Sequence, residues 1–277
     1  MEKGVWLEFE RIDDTFAKYG LWQAPLKFRD QKVPFKAIIK EIRGKPRVIS
    51  IVGRGYKLLP NSLVHEAVAQ LSDMFGLRMM KQNRYQLIYG GRTVYHTDEK
   101  SHRAYWTMVF PERYKIEKEN IQLGVQIRNS EDGSMGFGVD LFTFRLVCKN
   151  GAVVRTGDLE IRAYWKHTKS LQLDINALKD TIVQIVDRGK AILDNYKALT
   201  ALKLNQEIAE RLAERLPKKY LPEYIKAKED KIELLQPVDL WTCYNDITRL
   251  VWHSEKTSMF TKRNLFRELH KALEISL

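Results

Sequence analysis

Two cysteines in 277 residues, Cys148 and Cys243, are too few and too far apart for a disulfide framework or a CxxC metal site. They suit a reducing cytoplasm, each packing as a small apolar group. No apolar run reaches the roughly 18 residues of a membrane-spanning helix. The opening residues, MEKGVWLEFERIDD, lack the apolar block of a secretory leader. No membrane partner is therefore expected. Also missing are GxxxxGKS/T, GxSxG and HExxH, the signatures of P-loop, serine-hydrolase and zinc-protease chemistry. Nothing implies a bound cofactor, and no internal repeat or low-complexity segment stands out.

What is present is positive charge, unevenly placed. The formal net charge is +12. Residues 1–155 hold 26 Lys/Arg against 17 Asp/Glu, a balance of +9, and residues 156–277 hold 21 against 18, a balance of +3. A basic domain attracts polyanions, and nucleic acid is the commonest of these in a cytoplasm.

The hydrophobic pattern divides at about the same place. The first 30 residues read as an irregular arm with an apolar strip of Val5, Trp6, Phe9, Phe16, Leu21 and Trp22. A hairpin follows (35–42 and 48–52 around Gly44-Lys45-Pro46), then a helix capped by Asn61 or Ser62 and stopped by Gly76. Strand patterns cover 84–89, 104–110, 123–129 and 137–148. Alternation at Ala104, Trp106, Met108 and Phe110 predicts one dry face and one wet face, as antiparallel sheets usually have. After residue 156 the period becomes helical. An apolar stripe from Ile175 to Leu216 predicts one long helix or two, with Gly189 and the register change at Lys203 and Gln206 as candidate breaks. Short helices follow near 238–252 and 262–275. The expectation is an α+β protein. Residues 1–156 form a mostly antiparallel β-sheet domain with one early helix. Residues 157–277 form a helical C-terminal region, packed on the first or extended as an arm for self-association through 175–216.

Among chemistry-bearing groups, His96, Asp98 and His102 in YHTDEKSH could converge on a metal, and a metal-dependent nuclease would use them. That segment is also an ordinary polar connection. Glu131 and Asp132 in NSEDGS read as turn chemistry, with Asn129 or Asp132 bonding backbone and Gly133 at positive φ. GRGYK (53–57) reads as a loop needing positive φ, since it lacks the third glycine of a phosphate cradle. The stronger signal interleaves cations with rings. Arg84, Tyr85, Arg92, Arg103, Tyr105, Trp106, Arg128 and Arg145 are the candidate nucleic-acid contacts, with arginines following phosphates and rings stacking on bases. Alternating Tyr and Arg are also good strand formers, so the pattern has low specificity.

Two segments carry a resemblance. Ile127, Asn129, Ser130, Asp132 and Gly133, followed by Arg145, Leu146, Val147, Cys148, Asn150 and Gly151, match an "I.NS.DG" turn and an "RLVC.NG" strand end. Ser50, Tyr56 and Asn61 in VISIVGRGYKLLPN match an upstream segment. Together they resemble a family of plasmid- and phage-encoded proteins, catalogued as a domain of unknown function and labelled "phage/plasmid-like protein". The resemblance spans residues 35–154. Ala152, where a bulkier residue is usual, and the glycine-rich SMGFGVDLF depart from the pattern. The resemblance implies a prokaryotic mobile element and a role in plasmid or viral DNA metabolism. The family has no assigned activity, so no catalytic residue is carried over. The expected function is non-catalytic binding of nucleic acid, single-stranded DNA foremost, in replication, recombination or maintenance. Annealing proteins are a functional analogy only. A helix-mediated oligomeric scaffold and the metal-dependent nuclease are the alternatives.

Overall fold

The computed structural model describes residues 8–9, 12–81, 92–98, 102–146, 153–228 and 231–274. The chain opens with a four-stranded antiparallel sheet of β1 (Glu8–Phe9), β2 (Leu21–Phe28), β3 (Gln31–Ile42) and β4 (Lys45–Gly53), in that order. Both long hairpins turn on two residues at positive φ, Arg29 with Asp30 and Arg43 with Gly44. Turns of that kind match the twist of the strands they join. Instead of an irregular arm, residues 21–28 are a strand. The reason is that β2 buries side chains on both faces. Leu21 packs with Ile38 and Leu58, while Ala24 and Leu26 pack with Ala37 and Ile39. A strand buried on both sides loses the alternation by which strands are recognised.

Helix α1 (Asn61–Met74) follows, ended by Gly76 at φ 63°, whose N–H donates to the Asp73 carbonyl. Next come β5 (Arg78–Lys81), β6 (Arg92–Asp98), β7 (Arg103–Ile116), β8 (Glu119–Ser130), β9 (Phe137–Leu146) and β10 (Val153–Trp165). They form one sheet in the order β10-β9-β8-β7-β6-β5, antiparallel except for the β5–β6 pair. The dry face is as expected. Ala104, Trp106, Met108, Leu123, Val125, Ile127, Val139 and Leu141 are all buried in one core with Val64, Val68 and Leu71 of α1.

Two helices follow, α2 (Ile175–Ala201) and α3 (Gln206–Arg215). The break falls at the register change, where Lys203 bridges to Asp239 and the Asn205 side chain caps α3. Gly189 lies inside α2 for a packing reason. A Cβ there would come within 2.7 Å of Leu141, so glycine marks the point where helix touches sheet. Leu178, Ile182, Ile185, Leu193, Tyr196 and Leu199 bury the stripe in the same core. The helical region is therefore packed on the sheet. A division at 156/157 would cut β10, and one core joins both sides of it. A small hairpin, β11 (Ile225–Lys228) and β12 (Lys231–Leu234), precedes α4 (Leu240–His253) and α5 (Met259–Ala272). Cys243 in α4 is fully buried, and burial pushes its thiol up to about 12. Cys148 lies outside the described residues. Among the described residues, no helix is long and apolar enough to cross a membrane. The fold is α+β, with antiparallel sheets and helices toward the C-terminus.

Candidate nucleic-acid interface

At its centre, the second face of the six-stranded sheet is not the wet surface that its polar side chains suggested. Tyr105, Gln126, Arg128 and Asp140 are at most 4% exposed. Arg128 donates from Nε to Asp140 at 2.8 Å and from Nη1 to the Gly136 carbonyl at 3.0 Å, with the Tyr164 ring beside its guanidinium. Arg263 of α5 reaches the same Asp140 oxygen at 2.6 Å. Gly138 is the crossing point, since a Cβ there would lie 2.9 Å from the Arg128 guanidinium. This is a buried ion cluster tying α5 to β8 and β9.

The expected contact residues consequently part company. Tyr105 is 1% exposed, and Trp106 is fully buried, its indole N–H donating to His65 Nδ1. Neither ring offers a face to a base, and Arg128 offers no cation to a phosphate, because burial removes all three from water. Arg103 is half-buried. Its guanidinium lies 4.5 Å from the centre of the Phe260 ring, and its Nε donates to the Ser134 hydroxyl. Arg92 and Arg145 hold places on β6 and β9, but their side chains, like Arg84 and Tyr85 entirely, lie outside the described residues. The same holds for the side chains of His96 and Asp98. His102 is described, and its carbonyl accepts from Asn61 Nδ2 and from the Glu131 N–H. Among the described residues, no group of three or more His, Cys, Asp or Glu could hold a metal.

The two segments that carried the resemblance meet in space. Asn129 donates from Nδ2 to the Leu59 carbonyl and to Asn61 Oδ1. Ser130 Oγ both donates to the Met135 carbonyl and accepts its N–H, and Asp132 accepts from the Ser134 N–H. Gly133 has φ 75°, as turn chemistry requires. Glu131 does something else. Its carboxylate is 2% exposed, accepts the Asn61 N–H at 2.9 Å and meets Lys40 Nζ at 2.5 Å. A buried carboxylate at a helix N-terminus satisfies a donor that the helix leaves unpaired and faces the positive end of its dipole. Tyr56 completes the joint, its hydroxyl donating to the carbonyls of Ser130 and Glu131. Burial, with Asp132 and Glu131 nearby, holds that phenol well above its ordinary range.

A dense group of exposed cations stands elsewhere, on the ribbon of β2 to β4. Residues 27–57 contain ten Lys/Arg against two acids, Asp30 and Glu41, a local balance of +8. One face of the ribbon docks through Leu21, Ile38 and Val52 onto Tyr56 and Leu58. On the other face Phe35, Ile51 and Val48 are 48%, 55% and 50% exposed. The register places them together, since Ala37 faces Ile51 and Ile39 faces Val48. Basic turns stand at both ends of this apolar row. Arg29 and Lys32 are exposed at one, Arg43, Lys45 and Arg47 at the other. β4 is the outer strand, and Lys45, Pro46 and Arg47 on it discourage pairing with a second copy. The signal was present in the sequence, but a charge sum over 155 residues hid it.

No curated protein and no solved structure matches the chain. One family model does, over residues 48–271, from β4 to α5. With most of its length matched, the chain belongs to the family described as a domain of unknown function (DUF932).

Proposed function

We propose that this protein binds single-stranded nucleic acid, without transforming it, along the β2–β4 ribbon. The observation that carries the reading is an exposed apolar row of Val48, Ile51 and Phe35 set between basic turns. Single strands are held by cations that track the phosphates and by apolar and aromatic faces that take unstacked bases. A duplex offers phosphates but keeps its bases inside, so the apolar row favours the single strand. The ribbon supplies both kinds of group together, whereas Tyr105, Gln126, Arg128 and Asp140 at the centre of the large sheet's second face are buried.

The family resemblance supports a setting in the cytoplasm of a prokaryotic host, in replication, recombination or maintenance of a plasmid or phage. A scaffold joined through residues 175–216 is the weaker reading, because the apolar stripe of that segment lies in the protein's own core.

The test is fluorescence anisotropy with labelled single- and double-stranded DNA at two salt concentrations. The expected result is tighter binding of the single strand, weakening as salt rises. The triple variant Arg43→Glu, Lys45→Glu, Arg47→Glu is expected to bind at least about tenfold more weakly while unfolding at the same temperature. Absent or salt-independent binding, or a triple variant that binds like the parent, overturns the proposal.

A further inference from the structure

Where β4 ends, the ribbon opens onto a cleft. The Gly53–Tyr56 loop, the Gly133 turn and the His167–Ser170 loop line a shallow, open-sided cleft of about 730 Å³. Ligand pockets commonly span about 300–1,000 Å³. The walls are fixed. Tyr56 stacks on His167, ring centroids 4.9 Å apart and planes 18° from parallel. His167 Nδ1–H donates to the Lys57 carbonyl, and the Lys57 N–H donates back to the His167 carbonyl.

The glycines here separate into two kinds. Gly133 is required by its backbone, with φ 75° and its Cβ position 3.3 Å from both Tyr56 and Val52. Gly53 and Gly55 are not. Contrary to the positive φ expected for GRGYK, neither adopts a left-handed conformation, and a Cβ on either would meet nothing within 4 Å. Neither conformation nor crowding accounts for these two glycines. What they leave is bare backbone facing open space, as where a ligand must come close. Around that floor stand Val52, the Tyr56 ring, the hydroxyls of Thr168 and Ser170, bonded to each other at 2.9 Å, and exposed Lys169. A bare backbone floor flanked by an apolar side chain and a ring, with two hydroxyls and one cation, suits a heteroaromatic ring carrying an anionic group. Ile51 of the ribbon's apolar row and Val52 of the cleft face opposite sides of β4, so a single strand passing from row to cleft rounds the end of β4 at Gly53.

We propose that this cleft takes one nucleobase of the single strand lying on the ribbon, with the adjoining phosphate at Lys169. The inference rests on the nucleic-acid reading above and gives it a second subsite. All the cleft residues lie inside the matched 48–271, whereas β1 to β3 precede it.

Gly55→Leu fills the cleft from a position where the added side chain meets open space, so the fold is expected to persist, checked by unchanged thermal unfolding. One arm titrates dAMP alone into ¹⁵N-labelled protein. Saturable shifts of the Gly53, Gly55 and Gly133 amides are expected in the parent, and loss of those at Gly53 and Gly133 in Gly55→Leu. No saturable shift in the parent overturns the cleft, whatever the ribbon does. The second arm uses a single strand carrying 2-aminopurine. Gly55→Leu is expected to bind about tenfold more weakly, one base's worth of stacking, and to lose the fluorescence change. Parent-like binding and fluorescence in Gly55→Leu overturn the cleft and leave the ribbon reading standing. If the ribbon triple variant binds the strand like the parent while dAMP still shifts the cleft amides, the ribbon reading falls and the cleft stands.

Discussion

Two regions of this molecule are rich in arginine and lysine, and they use them in opposite ways. On the β2–β4 ribbon the cations crowd the hairpin turns in water, flanking an exposed apolar row. On the second face of the large sheet Arg128 lies under Tyr164 and shares Asp140 with Arg263. Both regions alternate charged and apolar residues along strands. What separates them is cover, because α5 brings Arg263 and Phe260 over the sheet. A buried cation must have a partner, and Asp140 is that partner, one strand away on β9.

The widest gap between the regions should appear on removing Asp140. Asp140→Ala leaves Arg128 and Arg263 without their shared carboxylate, and breaking a buried pair in this way costs about 3–5 kcal/mol. Arg128→Ala leaves Asp140 still paired to Arg263 and should cost less. Urea unfolding of both variants checks the order, and equal losses would mean that Arg263 does not share the load. Similar substitutions on the ribbon, such as Lys45→Ala, should stay within about 0.5 kcal/mol of the parent.

The joint between the regions comes next in size. Glu131→Ala removes the acceptor of the Asn61 N–H and the partner of Lys40. A loss of about 2–3 kcal/mol is expected, most of it from the orphaned helix donor. Glu131→Gln keeps an acceptor and should recover part of it. Gly133→Ala follows at about 1–2 kcal/mol, from its left-handed φ and the close Tyr56 and Val52. Parent-like stability in Gly133→Ala would show that the turn relaxes freely.

How much of this was legible in the sequence depended on how local the cause was. The dry face at Ala104, Trp106 and Met108, the turn at Asp132 and Gly133, and the end of α1 at Gly76 follow from alternation and backbone preference alone. The strand at 21–28 was hidden because both of its faces are covered. Burial of Tyr105 and Arg128 was not readable, since the cover of the second face comes partly from α5, whose Arg263 is distant in sequence. The pairing of Lys40 with Glu131 spans 91 positions, and no local pattern encodes it. The ribbon's charge was readable, but its exposure depends on which face meets Tyr56 and Leu58.

The smallest effect separates the joint from the ribbon by pH. Burial holds His167 below its ordinary 6.5, although the Lys57 carbonyl and Asp132 oppose the shift. The folded protein therefore prefers this ring neutral, while the unfolded chain takes up its proton near 6.5. Stability is expected to be fully present above that pH, to fall as pH drops below it, and to level off once the folded-state value is passed. His253, also lowered by burial and by Lys262 and Arg249, has the same sign. His167→Gln removes the His167 contribution. Its urea midpoint should change less than the parent's on going from neutral to mildly acidic pH. The ribbon residues 21–53 include no histidine, so the triple charge variant should keep the parent's pH slope over that range. If it flattens instead, the titrating group senses the ribbon, and the two regions are coupled through the Tyr56–His167 stack.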